Sequence, residues 1–180
     1  NISLGINGGE SNKAHQKSTI KLEYNKKEKN ISLFGFHFIK FNRNKCWIIF
    51  NNKRYNLEAN INSLVQDNNV KIKMIAFEKL TNLADMFFNC TSLIGLSNLS
   101  NLKTNNVTNM NRLFYGCTSL TFLRGISEWD TSNVRNMSYL FYQCTSLSNP
   151  PEISKWNTNN GIRMNNLFDR CTLLKSLPDL

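Results

Sequence analysis

The chain has 180 residues, enough for one domain with a buried core, and 41% of them are hydrophobic, which excludes a wholly disordered chain. Its formal net charge is +10, and the excess lies mostly in residues 1–58, where 11 Lys/Arg face 4 Asp/Glu. No run approaches the roughly 20 apolar residues of a membrane helix, and 30 asparagines point to a fold with many turns, where the amide bonds its own backbone.

Residues 1–17 are polar and include Gly8-Gly9, which reads as a flexible tail. Residues 18–69 read as a basic, β-rich cap. Thr19-Ile-Lys-Leu-Glu-Tyr24 alternates apolar and polar residues, as a half-buried strand does, and 31–39 does so over a longer run. Cys46-Trp-Ile-Ile-Phe50 and Lys53-Arg-Tyr-Asn-Leu57 flank Asn51-Asn52, a pair suited to the positive φ angles of a two-residue hairpin turn. Residues 70–77 form a further predicted strand.

From residue 70 onward the chain repeats. Cys90, Cys117, Cys144 and Cys171 recur at one constant interval. Phe87, Phe114, Phe141 and Phe168 keep the same interval, as do Leu93, Leu120, Leu147 and Leu174. A further column reads Leu102, Trp129 and Trp156, and another Leu83, Met110, Met137 and Met164. Within 134–144, Val134, Met137, Leu140, Phe141 and Cys144 recur at spacings of three and four, which predicts a short amphipathic helix. Thr131, Ser132 and Asn133 precede it as capping residues. The pattern Leu120-x-x-Leu123-x-x-Ile126 predicts a brief strand. One such unit cannot bury its apolar face alone, whereas stacked neighbours can. Because strands stack more closely than helices, the expected fold class is an α/β repeat, a curved leucine-rich-repeat-like solenoid behind a β-rich cap. Its units fall near 70–85 (degenerate), 86–112, 113–139, 140–166 and 167–180 (incomplete).

The segments Phe114-Tyr-Gly-Cys-Thr-Ser-Leu120, Ile126-Ser-Glu-Trp-Asp-Thr-Ser-Asn-Val134 and Asn136-Met-Ser-Tyr-Leu-Phe-Tyr-Gln-Cys144 resemble the BspA-like leucine-rich repeats of bacterial and protist surface proteins. That group includes mycoplasma lipoprotein-type repeats of closely similar length. The resemblance covers about residues 78–180. It implies a secreted or cell-surface protein that binds a surface or matrix protein partner. Departures from the pattern are Gly161 for the helix-initial Val, Asp169 for the aromatic residue and Pro150-Pro151 in the strand register.

The chemistry-bearing residues favour packing. The four periodic cysteines lack paired C-x-x-C spacing and read as buried thiols, with no metal site and no cofactor. His15 and His37 have no nucleophile beside them in any catalytic arrangement. Phe87, Cys90, Leu93, Phe114, Cys117, Leu120, Trp129, Phe141, Cys144, Leu147, Trp156, Phe168, Cys171 and Leu174 form the expected core ladder. Positions that vary between units are the candidate ligand-facing residues: Ile94, Ser97, Thr121, Phe122, Arg124, Ser148, Asn149, Glu152, Lys175 and Asp179. The expectation is a non-catalytic protein-interaction or adhesion module using a concave strand face. The alternative is anionic-polymer or nucleic-acid binding through the basic cap.

Overall fold

The computed structural model describes residues 17–25, 31–58, 60, 68–159 and 162–178. The residues read as the flexible tail (apart from Lys17), together with Lys26, Lys27, Lys29, Gly161 and Asp179, lie outside the described residues. The elements are β1 (Ser18–Asn25), α1 (Phe36–Asn42), β2 (Cys46–Phe50), β3 (Lys53–Asn56), β4 (Asn69–Ala76), β5 (Leu93–Ser97) and β6 (Phe122–Leu123). They build one mixed sheet in the order β3-β2-β4-β1-β5-β6, with β5–β6 parallel and the other neighbours antiparallel.

Strict alternation places β1, β2 and β4 in the sheet. Ile20, Leu22 and Tyr24 of β1, Ile48 of β2, and Val70, Ile72 and Met74 of β4 point to one buried face. Asn51 and Asn52 adopt φ of 48° and 59° and close the β2–β3 turn, where asparagine tolerates the left-handed geometry. β1 lies between β4 and β5, pairing Leu22 with Ile72 on one side and with Leu96 on the other. The strand at 70–77 therefore does not adjoin the next strand of the repeat, although the two occupy matching places in the repeat register.

Three expectations are corrected here. The run 31–39 is not a strand: Tyr24 Oη donates to Leu33 O (2.8 Å), Gly35 N–H donates to Met86 O (3.0 Å), and α1 follows. Phe34, Phe38 and Asn42, spaced by four, then share the buried side, while Phe36 and Phe41 are exposed. The same run thus fits a helical period as well as an alternating one.

The second correction concerns the helices predicted for each repeat. None forms among the described residues. The N–H groups of Leu83, Asp85, Phe87 and Asn89 donate to the carbonyls of Asn109, Asn111, Leu113 and Tyr115, at 2.8–3.0 Å. Between them, the N–H groups of Met86, Phe88 and Cys90 donate back three residues, to Leu83, Asp85 and Phe87. The two following units repeat this alternation. An α-helix would send every N–H back four residues within its own turn. Left-handed residues four apart forbid that: Asp85 and Asn89, Arg112 and Gly116, Tyr139 and Gln143, Asn166 and Arg170 all have φ of 53–68°. Asparagine opens three of these turns, since the Oδ1 atoms of Asn82, Asn109 and Asn136 accept from the N–H two residues on, at 2.8–3.0 Å.

The third correction follows from the second. The fold is not an α/β solenoid with a concave strand face but an open six-stranded mixed sheet that is neither curled nor closed, with only 9% helix. The last two strands continue into turns that pair edge to edge through the parallel bridges Asn82–Asn109, Asn109–Asn136 and Asn136–Arg163.

The core runs unbroken from the sheet into these turns. Phe34, Phe87, Phe114, Phe141 and Phe168 form one file of rings with centroids 5.2–5.7 Å apart. Trp129 and Trp156 lie 6.0 Å apart and are buried, their indole N–H groups donating to Leu99 O and Ile126 O at 2.9 Å. Each indole therefore buries its ring without stranding its polar atom. At the last unit the file opens, and Phe168, Cys171 and Leu174 are only partly buried.

Candidate functional site

The sheet stops at β6 for a reason legible in two residues. Thr121 N–H donates to Ile94 O (2.7 Å) and Arg124 N–H to Leu96 O (3.0 Å), which carries the parallel pairing from β5 to β6. One repeat later the counterpart of Arg124 is Pro151, which has no N–H to give Leu123 O. Among the described residues pairing consequently stops short of 149–151, and β6 keeps an open edge.

A shallow cleft of about 260 Å³ lies along that edge, lined by Thr121, Phe122, Leu123, Arg124, Gly125, Leu147, Asn149, Pro150, Pro151 and Glu152. The far end of the Phe122 ring covers Gly95 of β5, and a Cβ at Gly95 would collide with it. Arg124 places its guanidinium 5.4 Å from the same ring centroid, a cation–π contact on an exposed side chain. Gly125 turns the chain at φ 92°, which glycine adopts without strain. The cleft thus offers an apolar floor, one exposed cation and one exposed carboxylate (Glu152).

Five of the candidate ligand-facing residues meet here: Thr121, Phe122, Arg124, Asn149 and Glu152. Ile94 contributes its carbonyl, which accepts from both the N–H and the hydroxyl of Thr121. Ser97 instead sits opposite Lys21 of β1, and Lys175 donates its N–H to Ser148 O at 3.4 Å, away from the cleft.

The cysteines hold no site. Cys117, Cys144 and Cys171 each aim Sγ at the carbonyl of Phe87, Phe114 and Phe141 in the preceding turn, at 3.0–3.1 Å. Burial raises all five thiols above their usual range, Cys46 to about 12, so the nucleophilic thiolate is suppressed. The unfolded thiols ionise first on raising pH, near 9. Their contribution to stability is complete below that value and falls as pH rises toward the folded values. Denaturant midpoints measured from neutral pH to about pH 11 should decline above about pH 9. In the same series Cys171, the least buried of the periodic four, should react first with a thiol reagent. A flat profile, or rapid labelling of Cys117, would contradict the buried assignment.

Two groupings were not assembled from the sequence, although the aromatic register that Asp169 interrupts belongs to the first. On the outside of the turns, Phe88, Tyr115 and Tyr142 stack at 5.0 and 4.6 Å. Their recurrence at the repeat interval, one place after the Phe file, was the signal. The other is His37, which lies on α1 and meets Asp85 Oδ2 through Nδ1 at 2.8 Å. Arg112 holds the same carboxylate, with Nε 3.0 Å from Oδ1 and Nη2 donating to Oδ2 at 3.3 Å. Asp85 and Arg112 stand one repeat interval apart, but no sequence spacing joins His37 to them. Among the described residues no three His, Cys, Asp or Glu gather as a metal site, and no helix is long and apolar enough to cross a membrane.

Fold and site together define a mixed-sheet protein whose final strands run on into repeated, edge-paired turns. Residues 55–178 match the family described as "Mycoplasma protein of unknown function, DUF285", and the chain belongs to that family. No curated protein and no solved structure matches it.

Proposed function

We propose that this chain is a non-catalytic interaction module that receives an extended segment of a partner protein along the free edge of β6. The observation that carries this reading is the interruption at Pro150-Pro151, which leaves a strand edge open beside an apolar, charge-rimmed cleft. Such an edge recruits a peptide by main-chain hydrogen bonds, with side-chain pockets setting the choice of partner. Phe122 and Pro150 would supply the apolar contact, and Arg124 and Glu152 the orientation. The sequence resemblance to BspA-like surface repeats supports a surface or matrix protein as the partner.

A displayed library of random peptides, panned on the chain, supplies the probe. Enriched peptides should bind the native chain, and Phe122→Ala together with Arg124→Glu should weaken them about tenfold or more, since a few buried anchors dominate such interfaces. Arg124 is exposed, so Arg124→Glu alone should leave the melting temperature unchanged. Peptides that bind both variants as tightly as the native chain, or a library that enriches none, would sink the β6 assignment.

A further inference from the structure

The outer face of the sheet carries a charge arrangement that folding alone disfavours. Lys21 of β1 lies directly opposite Lys73 of β4, and Lys73 lies opposite Ile49 of β2, which in turn faces Arg54 of β3. One row across four strands therefore reads Arg54, Ile49, Lys73, Lys21. Like charges directly opposed on an antiparallel pair destabilise the sheet. Lys71 follows on the next row, and among the described residues its carboxylate partner is Glu23, 3.9 Å from the exposed Lys71 Nζ. A contact of that length in solvent offsets little of the excess.

Arg54 is held in place. Its guanidinium sits 3.8 Å over the Trp47 ring, which also stacks on Phe77 at 4.4 Å, and Lys17 approaches the same ring at 5.3 Å. A planar guanidinium fixed on an aromatic face is suited to a tetrahedral oxyanion. Next to this row, Lys21, Lys71, Lys73, Asn51 and Asn52 line a cleft of about 440 Å³, with Glu23 as its one carboxylate. The three lysines thus border a common hollow, with the Asn51 and Asn52 amides as further donors and Arg54 one strand beyond Ile49 of its lining.

We propose that this face binds a linear sulfated polysaccharide. Charge complementarity argues for a polyanion, whose sulfates would neutralise the opposed Lys21 and Lys73. The aromatic geometry selects among polyanions: Trp47 is already stacked by Arg54 and Phe77, so the ring that would hold a nucleobase is occupied. Sulfates along a sugar chain need only the cations and amides. The site is separate from the β6 edge, and the two readings stand or fall independently.

Titration with heparin and with a single-stranded oligonucleotide of equal charge tests the proposal. Heparin should bind at low salt, with affinity falling steeply as salt rises, and should bind more tightly than the oligonucleotide. Lys21→Glu with Lys73→Glu should lower heparin affinity about tenfold or more, because both neutralising contacts are reversed. Lys155→Glu with Lys175→Glu, which changes net charge equally outside the patch, should leave it within about twofold. Lys21→Glu alone should raise the melting temperature while weakening heparin, since it replaces a like-charged pair with an opposite one. Failure to bind heparin at low salt, equal losses in both charge-matched pairs, or tighter binding of the oligonucleotide would each overturn the proposal.

Discussion

Phe114→Ala should destabilise the fold by about 3–5 kcal/mol, the usual cost of removing a fully buried phenylalanine and leaving a cavity. The ring is wholly buried and lies between Phe87 at 5.6 Å and Phe141 at 5.3 Å, nearly parallel to both. Its loss removes two ring contacts at once, and the flanking rings cannot close the gap. Their positions are fixed by backbone bonds from Phe87 N–H to Leu113 O and from Phe141 N–H to Leu167 O. Cavity collapse is therefore resisted from both sides. Tyr115→Ala is the matched control, since that ring stacks on the outside between Phe88 and Tyr142 and is only half-buried. Its cost should be about 1 kcal/mol, typical of a point substitution without a large cavity. Urea unfolding of both variants reads the contrast. Equal losses would mean that the buried file of rings does not hold the turns together.

The file was legible because residue identity recurs at a constant interval, and recurrence of Phe, Cys and Leu at fixed offsets marks positions with one environment. The local conformation was not legible. Val134, Met137, Leu140, Phe141 and Cys144 recur at three and four residues, which a helix requires, but consecutive turns with bonds back three residues produce the same spacing. Tyr139 and Gln143 take left-handed φ although neither residue type favours it. Hints lay in Asn89 and Gly116, in the register of Gln143, and in Asp85 and Asn166, in the register of Tyr139. A segment of about eleven residues is in any case too short for intrinsic helix propensity to prevail. The inter-turn hydrogen bonds decide instead, and their partners lie in the neighbouring repeat, beyond the reach of any local pattern. The same non-locality hid β1 from view as the strand between β4 and β5. At the cleft, Thr121, Phe122, Arg124, Asn149 and Glu152 of the varying columns lie together, whereas Ser97 and Lys175 lie elsewhere. Column variation identifies what the fold leaves free, and the prolines at 150–151 decide where that freedom becomes an edge.

Gly35→Ala should cost about 1–3 kcal/mol or more, because overpacking forces backbone displacement. This glycine is not needed for its φ, which is −68°, an angle any residue adopts. It is needed for room. A Cβ there would stand 2.0 Å from Asp85 O and 3.2 Å from Phe88 Cβ, and the nearer atom is backbone that cannot rotate aside. Asp85 is itself fixed, since its φ is 58° and its N–H donates to Asn111 O at 3.0 Å. The strain must then fall on α1, which would move away from the first turn. That movement would lengthen the Gly35 N–H to Met86 O bond (3.0 Å) and draw His37 from the Asp85 carboxylate. It would also loosen the Phe34–Phe87 contact at 5.7 Å, where the ring file enters the sheet domain. The melting temperature should fall by roughly 2–4 °C per kcal/mol for a chain of this size. His37→Ala, which removes the contact with Asp85 but leaves the backbone approach intact, should lower it far less, because His37 is largely exposed and such surface contacts contribute about 0–1 kcal/mol. If Gly35→Ala melts no lower than His37→Ala, α1 is not seated on the first turn through Gly35.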